Sequence, residues 1–152
     1  MEFKGSKTYE NVYNSCKGEI SGVILYELLS EKAEKEGLLE TAELFKILSG
    51  QEKSHAEIFQ KFLVEVGENC ELSKEEIDNL SNMLVRDVKT NIQNFAMGEI
   101  KAGEEIYPEY AKIASEEGFD KIAKMYLTLA PVETGHGNRL KEELEKLECN
   151  VA

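Results

Sequence analysis

The chain contains no tryptophan, only two prolines and only three cysteines among 152 residues. Scarce proline favours long helices, because a proline interrupts the backbone hydrogen bonds of a helix interior. Cys16, Cys70 and Cys149 are widely separated, and no Cys-x-x-Cys pair occurs. A disulfide framework, a zinc ribbon and an iron–sulfur site are therefore disfavoured, and the cysteines are predicted to be plain thiols in a reducing compartment.

The sequence also lacks an apolar signal core near its N-terminus and any run of about 18 apolar residues that could span a bilayer. These absences predict a cytoplasmic protein. Basic residues are in the minority, with 18 Lys and Arg against 30 Asp and Glu, for a formal net charge of −12. Such a charge repels phosphate backbones and anionic lipid surfaces, so neither nucleic acid nor a membrane is expected as a partner.

Helix-forming sequence is abundant. Apolar residues recur at helical spacing in four segments, at about 8–36, 38–66, 87–117 and 119–147. Ser73 and Glu76 form a capping-box pattern that predicts a further helical stretch from about Lys74. Two helical hairpins joined by a long connection predict an all-α, ferritin-like four-helix bundle, with one domain spanning 1–152.

The two predicted hairpins resemble each other at a constant offset of 81 positions. Gly37 and Gly118, each expected to end a helix, form one matching pair. The other pairs match in residue type or character, and they are Ala33 with Ala114, Ala42 with Ala123, Phe45 with Tyr126, Leu48 with Leu129, Glu52 with Glu133 and His55 with His136. The chain is therefore interpreted as internally duplicated.

Both histidines of the chain follow a glutamate by three residues, in the pairs Glu52 with His55 and Glu133 with His136. Residues three apart share a helix face, so each pair can direct a carboxylate and an imidazole at one point. The duplication predicts one further glutamate on the first and third long helices. Glu19 and Glu99 fit, at 18 and 19 residues before the glycines that end those helices.

Four glutamates and two histidines in this arrangement are the ligand set of di-iron carboxylate bundles. Two neighbouring divalent cations repel each other unless bridging carboxylates neutralise them. Glu52 and Glu133 are the candidate bridges, and Glu19 and Glu99 are the candidate terminal ligands. His55 and His136 would then bind one metal each.

The chain resembles the rubrerythrin family of the ferritin-like superfamily over nearly its whole length, most specifically in KGEISG at 17–22, QEKSHAEIF at 51–59 and EEIYPEYAKIASEEGFDKIA at 104–123. The resemblance implies that the same six residues bind two iron ions and that the protein, a homodimer, reduces hydrogen peroxide. Tyr26 and Tyr107 fall where the family has tyrosines beside the metal cluster. They are candidate catalytic-site residues that hydrogen-bond ligand carboxylates, or else simple core aromatics.

Two departures from the family pattern matter. Rubrerythrins have an additional glutamate one turn after the ligand on the third helix, and this chain has Ala102 there. Glu104 could take its place only if the helix is overwound or bulged. Rubrerythrins also end in a four-cysteine rubredoxin domain, which this sequence lacks, so electrons are expected from an external donor such as a rubredoxin.

Two other functions stay open beside peroxide reduction. One is ferritin-like oxidation and storage of iron, which the loss of the additional glutamate favours. The other is a structural role for a metal without redox chemistry, and manganese or zinc are possible substitutes for iron. The remaining glutamates near the motifs are expected on solvated helix faces, and they are Glu27, Glu31, Glu57 and Glu143.

Two irregularities are predicted in the helices. Tyr26 follows Glu19 by seven residues, whereas Tyr107 follows Glu99 by eight. The extra residue predicts a π-bulge between Glu99 and Tyr107. A proline and two glycines lie near His136, and they predict either a kink or a close approach of backbones: Pro131, Gly135 and Gly137.

Overall fold

A computed structural model describes residues 1–149. Within these residues the chain forms six α-helices and no β-strand, which confirms the all-α prediction. The helices are α1 (Lys7–Lys35), α2 (Leu39–Val64), α3 (Lys74–Leu80), α4 (Val88–Lys101), α5 (Tyr107–Glu116) and α6 (Asp120–Cys149). A 3₁₀ turn, Ser81–Met83, follows α3, and a π-helical segment, Ala102–Ile106, joins α4 to α5.

The glycines that were predicted to end the first and third long helices do so through one local structure. Gly37 and Gly118 have φ of 77° and 89°, in the left-handed region that favours glycine. The N–H of Leu38 donates to the carbonyl of Ala33 at 2.9 Å, and the same bond recurs 81 residues later at 2.8 Å. This is the Schellman ending of a helix, and its recurrence at the repeat distance agrees with the internal duplication.

The described residues group into two compact units. The N-terminal unit comprises Phe3–Gly5 and Tyr9–Val88, and it contains most of α1, all of α2 and the connection with α3. Serine hydroxyls join its two long helices: Ser30 Oγ donates to the carbonyl of Ala42 at 2.9 Å, and Ser49 Oγ donates to that of Val23 at 3.0 Å. Its buried apolar side chains include Val12, Leu25, Leu29, Phe45, Leu48, Phe59 and Leu63.

The connection after α2 begins its helix where the sequence predicted. Ser73 Oγ accepts a hydrogen bond from the N–H of Glu76 at 3.1 Å, and the Glu76 carboxylate accepts one from the N–H of Ser73 at 3.0 Å. This is the predicted capping box. The ammonium of Lys17, on α1, lies 2.7 Å from the same carboxylate and helps to lower the pKa of Glu76 to about 2. The connection is therefore tied to α1 within the N-terminal unit.

The C-terminal unit comprises Met1–Glu2, Ser6–Thr8 and the chain from Lys89 onward. The first residues of α1 belong to this C-terminal unit, and their N–H groups donate hydrogen bonds to a residue far away in sequence. The carboxylate of Glu117 accepts from the N–H of Lys7 at 3.1 Å and from that of Thr8 at 2.7 Å. A carboxylate is a favourable partner for these otherwise unsatisfied donors at the positive end of a helix.

The third predicted helix is interrupted as its sequence indicated. The segment Ala102–Ile106 is π-helical, and the N–H of Tyr107 donates to the carbonyl of Ala102, five residues earlier. A wider turn of this kind absorbs one extra residue. The predicted π-bulge between Glu99 and Tyr107 is therefore confirmed.

Other expectations had mixed outcomes. Glu27, Glu31 and Glu57 are exposed as predicted, but Glu143 is only 7% exposed, so its assignment to a solvated face was wrong.

None of the helices in residues 1–149 combines the length and apolar character needed to cross a membrane. The single domain over 1–152 stays a prediction, and its last three residues, 150–152, lie outside the described part.

Candidate metal centre

The N-terminal unit contains a buried triad formed by Glu19 of α1 with Glu52 and His55 of α2, here called the N-terminal triad. These side chains are 3%, 4% and 6% exposed. One ligand atom of each lies within 4.8 Å of those of the other two, and His55 Nδ1 is 3.7 Å from Glu19 Oε1. The three-residue spacing on α2 places its carboxylate and imidazole on one face, and α1 supplies the second carboxylate.

A glycine makes room for this triad. Gly22 lies three residues after Glu19 on α1, and a Cβ added there would be 3.3 Å from Cγ and 3.4 Å from Oε2 of Glu52. The first separation is tighter than ordinary van der Waals contact, and the second is at its lower limit. A side chain at this position would require Glu52 to shift by a few tenths of an ångström, so the glycine of KGEISG has a packing reason that the sequence did not reveal.

The C-terminal unit contains the matching set, Glu99 of α4 with Glu133 and His136 of α6, here called the C-terminal triad. Its ligand atoms also lie within 4.8 Å of one another. His136 Nδ1 is 3.6 Å from Glu99 Oε2 and 3.8 Å from Glu133 Oε2. The side chain of Glu99 is 11% exposed, which makes it the most accessible of the three.

Two glycines permit the close packing that builds the C-terminal triad. A Cβ on Gly137 would lie 2.5 Å from Ile100 Cγ1 and 2.9 Å from the carbonyl oxygen of Ala96, both on α4. A Cβ on Gly103 would lie 2.1 Å from Thr134 Oγ1 on α6. Close backbone approach therefore explains Gly137, as one of the two sequence expectations proposed. A Cβ added to Gly135 would have nothing within 4 Å, and no contact explains this glycine.

Several buried ligand atoms fit a metal. Among residues 1–149, Glu19 Oε2, Glu99 Oε2 and His136 Nε2 are buried atoms that take part in no hydrogen bond. A buried polar atom left in this state costs free energy unless another group satisfies it. Carboxylate oxygens and imidazole nitrogens are suitable ligands for iron, manganese or zinc. The two triads thus have the chemistry of divalent-metal ligands.

The two candidate tyrosines are buried. Tyr26 is 1% exposed and stacks on Phe45, with ring centroids 6.0 Å apart. Tyr107 is 6% exposed and meets Tyr126 edge to face at 5.2 Å. They occupy corresponding places in the duplication, 81 residues apart. Their rings are core aromatics, and hydrogen bonding of their hydroxyls to ligand carboxylates stays a prediction.

The position of the family's additional glutamate supplies no carboxylate in this chain. Ala102 is half-buried at the start of the π-helical segment. The helix is bulged at this point, which was the condition under which Glu104 could replace the missing ligand, yet Glu104 is exposed to solvent. The bulge therefore does not bring Glu104 into the buried C-terminal triad.

Sequence reasoning missed one cluster. Cys16 and Cys70, 54 positions apart, both lie buried in the N-terminal unit, and Gln60 contacts both residues. Their wide separation argued for unrelated thiols. No signal in the spacing could have found this pair, because it depends on how the connection after α2 folds back onto α1.

The fold and the paired triads define a helical bundle of the ferritin-like class. A solved structure of symerythrin from Cyanophora paradoxa, reduced with dithionite, matches 93% of this chain and 85% of its own with a TM-score of 0.82 at 23% identity. A fully reduced, all-ferrous nigerythrin matches 94% of this chain and 71% of its own with a TM-score of 0.81 at 21% identity. At such identities these likenesses establish the fold.

The family is established by sequence. The rubrerythrin family model matches residues 10–144. A rubrerythrin of Clostridium perfringens is 34% identical over 147 residues, which cover 95% of this chain and 73% of the relative. One from Nitratidesulfovibrio vulgaris is 31% identical over 136 residues, which cover 90% and 68%. The chain belongs to the rubrerythrin family, and this membership together with the Glu and His clusters supports a di-iron protein of the rubrerythrin type.

Proposed function

We propose that the protein is a di-iron peroxide reductase that converts hydrogen peroxide to water with electrons from an external donor such as a rubredoxin. The observation that carries the proposal is the pair of buried triads, each of two glutamates and one histidine, in a chain of the rubrerythrin family. Relatives named rubrerythrin, at 34% and 31% identity, support the same interpretation, because the resemblance to this family implies peroxide reduction.

The two triads are proposed to hold two iron ions in one centre. Four carboxylates carry four negative charges, and two divalent cations carry four positive charges, so the pair of ions neutralises the cluster. Burial of four uncompensated carboxylates would be strongly unfavourable. Glu52 and Glu133, each next to a histidine on its helix, are the proposed bridges. Glu19 and Glu99 are the proposed terminal ligands, with His55 and His136 on one ion each.

When bound, iron supplies two electrons, one from each ferrous ion. The overall reaction takes up two electrons and two protons, breaks the O–O bond of hydrogen peroxide and yields two water molecules. The six ligand residues would hold the metal among mostly buried side chains, and peroxide would react there. Tyr26 and Tyr107 are proposed as positioning residues whose hydroxyls orient ligand carboxylates.

The test uses protein loaded with ferrous iron under anaerobic conditions. Addition of peroxide should oxidise two irons for each peroxide consumed, measured by visible absorbance, and turnover should follow when reduced rubredoxin is supplied. His55→Ala and His136→Ala form a matched pair across the duplication, and each should lower the turnover. Protein that retains two irons per chain but shows no peroxide-dependent oxidation would contradict the proposal.

Iron oxidation and storage is the second candidate, and one observation favours it. With Ala102 in place of the additional glutamate and Glu104 exposed, the ligands are the generic set of the ferritin-like class. This function requires dioxygen-dependent uptake of many irons per chain into a large assembly, which light scattering and iron analysis measure. Bound zinc with neither activity would instead support a structural metal.

We also propose that the protein acts in the cytoplasm as a homodimer. Free thiols are kept reduced most readily in a reducing compartment, which supports the location. Several large apolar side chains are exposed, among them Leu39, Met97 and Leu127, and contact with a second copy would remove such side chains from water. Sedimentation equilibrium measures the oligomeric state, and a monomer at all concentrations would contradict the dimer.

A further inference from the structure

The second cluster of reactive side chains is a buried pair of cysteines. Cys16 lies on α1, one turn before Glu19, and Cys70 lies in the connection between α2 and α3. The residues are 1% and 4% exposed, and both have free thiols. They belong to the same compact unit, so their relation does not depend on the placement of the other unit.

The two cysteines both contact Gln60, and Cys70 also lies close to α1. Gln60 Oε1 accepts from the backbone N–H of Cys70 at 2.9 Å and lies 4.0 Å from Cys16 Sγ. Cys16 Sγ also lies 3.5 Å from the carbonyl oxygen of Ala56, while Cys70 Sγ lies 3.8 Å from that of Tyr13, one turn before Cys16 on α1. The segment that carries Cys70 is thus held against the part of α1 that carries Cys16.

The two sulfurs differ in reactivity. The thiol of Cys16 hydrogen-bonds to the Cys70 sulfur, which lowers the pKa of Cys70, and the ammonium of Lys17 lowers it further against the opposing effect of burial. The same hydrogen bond and burial raise the pKa of Cys16 far above its ordinary value. Thiolate is the nucleophilic form of cysteine, so Cys70 is the attacking residue and Cys16 the resolving one.

We propose that Cys16 and Cys70 form a reversible disulfide when the protein meets hydrogen peroxide. The juxtaposition of two buried sulfurs on α1 and on the connection after α2 carries the proposal. It goes beyond the metal chemistry and needs no iron, because the thiols themselves supply the two electrons. The disulfide would tie the connection covalently to α1, three residues before the candidate ligand Glu19.

The disulfide would form in two reactions. The Cys70 thiolate attacks one peroxide oxygen and the O–O bond breaks, which gives a sulfenic acid and a hydroxide that takes up a proton to become water. The Cys16 sulfur then attacks the Cys70 sulfur, which forms the S–S bond and releases the second water. Two thiols are oxidised, and one peroxide is reduced to two waters. An external dithiol reverses the reaction by exchange.

The experiment uses the full chain with Cys149→Ser, loaded with zinc so that no iron consumes peroxide. After peroxide treatment the protein is denatured, its free thiols are alkylated, and its peptides are identified by mass spectrometry with and without prior reduction by dithiothreitol. We expect one intramolecular link between the Cys16 and Cys70 peptides, lost on reduction. Full alkylation of both residues, in protein that was folded during the peroxide treatment, would overturn the proposal.

Two variants separate the roles of the sulfurs. Cys16→Ser should leave a Cys70 sulfenic acid that dimedone traps, whereas Cys70→Ser should leave Cys16 unmodified. Thermal melts check that each variant folds, and if one does not, the peptide link in the Cys149→Ser protein still decides. Because the zinc-loaded protein has no iron to react with peroxide, failure of the proposed iron chemistry cannot imitate either outcome.

Discussion

Gly103→Ala tests whether the close packing of the π-helical segment on α6 builds the C-terminal triad. Gly103 is buried, and a Cβ there would lie 2.1 Å from Thr134 Oγ1, 2.4 Å from the carbonyl oxygen of Ala130 and 2.7 Å from the backbone nitrogen of Thr134. Two of these three contacts are with backbone atoms. They can be relieved only if the π-helical segment and α6 move apart, and Glu133 lies next to Thr134.

Two effects of opposite sign determine how much Gly103→Ala changes the free energy of unfolding. Replacing glycine by alanine inside a helix usually stabilises by about 1 kcal/mol. Inserting an atom into a closely packed interior costs about 1–3 kcal/mol and occasionally more. Because backbone atoms obstruct the new methyl group, the upper end of that cost applies, and we expect a net destabilisation of about 2 kcal/mol. For a chain of this size this lowers Tm by about 4–8 °C.

The assay is thermal unfolding of metal-free protein, with Gly50→Ala as the matched control. Gly50 lies exposed on α2, and nothing lies within 4 Å of a Cβ added there. The control should gain about 1 kcal/mol and its Tm should rise by about 2–4 °C. If Gly103→Ala melts at or above the temperature of Gly50→Ala, packing is not the reason for the glycine. Adding Thr134→Ala to Gly103→Ala should not restore stability, because the contact with the Ala130 carbonyl remains.

Three further outcomes are expected. Ferrous iron should stabilise the folded protein by about 2.7 kcal/mol at a free concentration near 100 times its Kd, and Glu52→Ala or Glu133→Ala should abolish that gain. Equal Tm values for metal-loaded and metal-free wild type would exclude the site. Ala102→Glu should raise peroxide turnover with reduced rubredoxin by supplying the family's additional ligand, whereas unchanged turnover with intact iron binding would show that the position is indifferent. Hydrogen bonds from Thr8 hold the pKa of Glu117 below its ordinary value, so this carboxylate stabilises the fold above its unfolded pKa of about 4.5 and loses the effect as pH falls through its lower folded pKa. The difference in the free energy of unfolding between wild type and Glu117→Gln, measured by urea unfolding, should therefore shrink as pH falls through that range. A difference that does not change with pH would refute the assignment.

Local rules explain why much of this protein could be predicted from its sequence. Helical periodicity and the glycines at 37 and 118 set the helices and their ends, because both depend on neighbouring residues and on backbone conformation alone. The π-helical segment followed from the same kind of reasoning, since one residue more in the second copy must widen a turn. The duplication and the three-residue spacing predicted both triads, because residues three apart share a face in any α-helix.

Only the tertiary structure shows which side chains are buried and which residues of different elements contact each other, because both depend on how the elements pack. Glu143 repeats the pattern of a solvated face, yet it is buried, because burial depends on the neighbours that pack over the helix. Glu104 faces solvent beside a bulge whose existence was predictable, since the direction of a side chain depends on how the wider turn rotates the helix. Gly22 lies against the Glu52 side chain and Gly103 lies mainly against the backbone of α6, and no local pattern reveals such contacts with another helix. Cys16 and Cys70 meet only because the connection after α2 folds back onto α1, and contacts over 54 positions leave no periodic trace in a sequence.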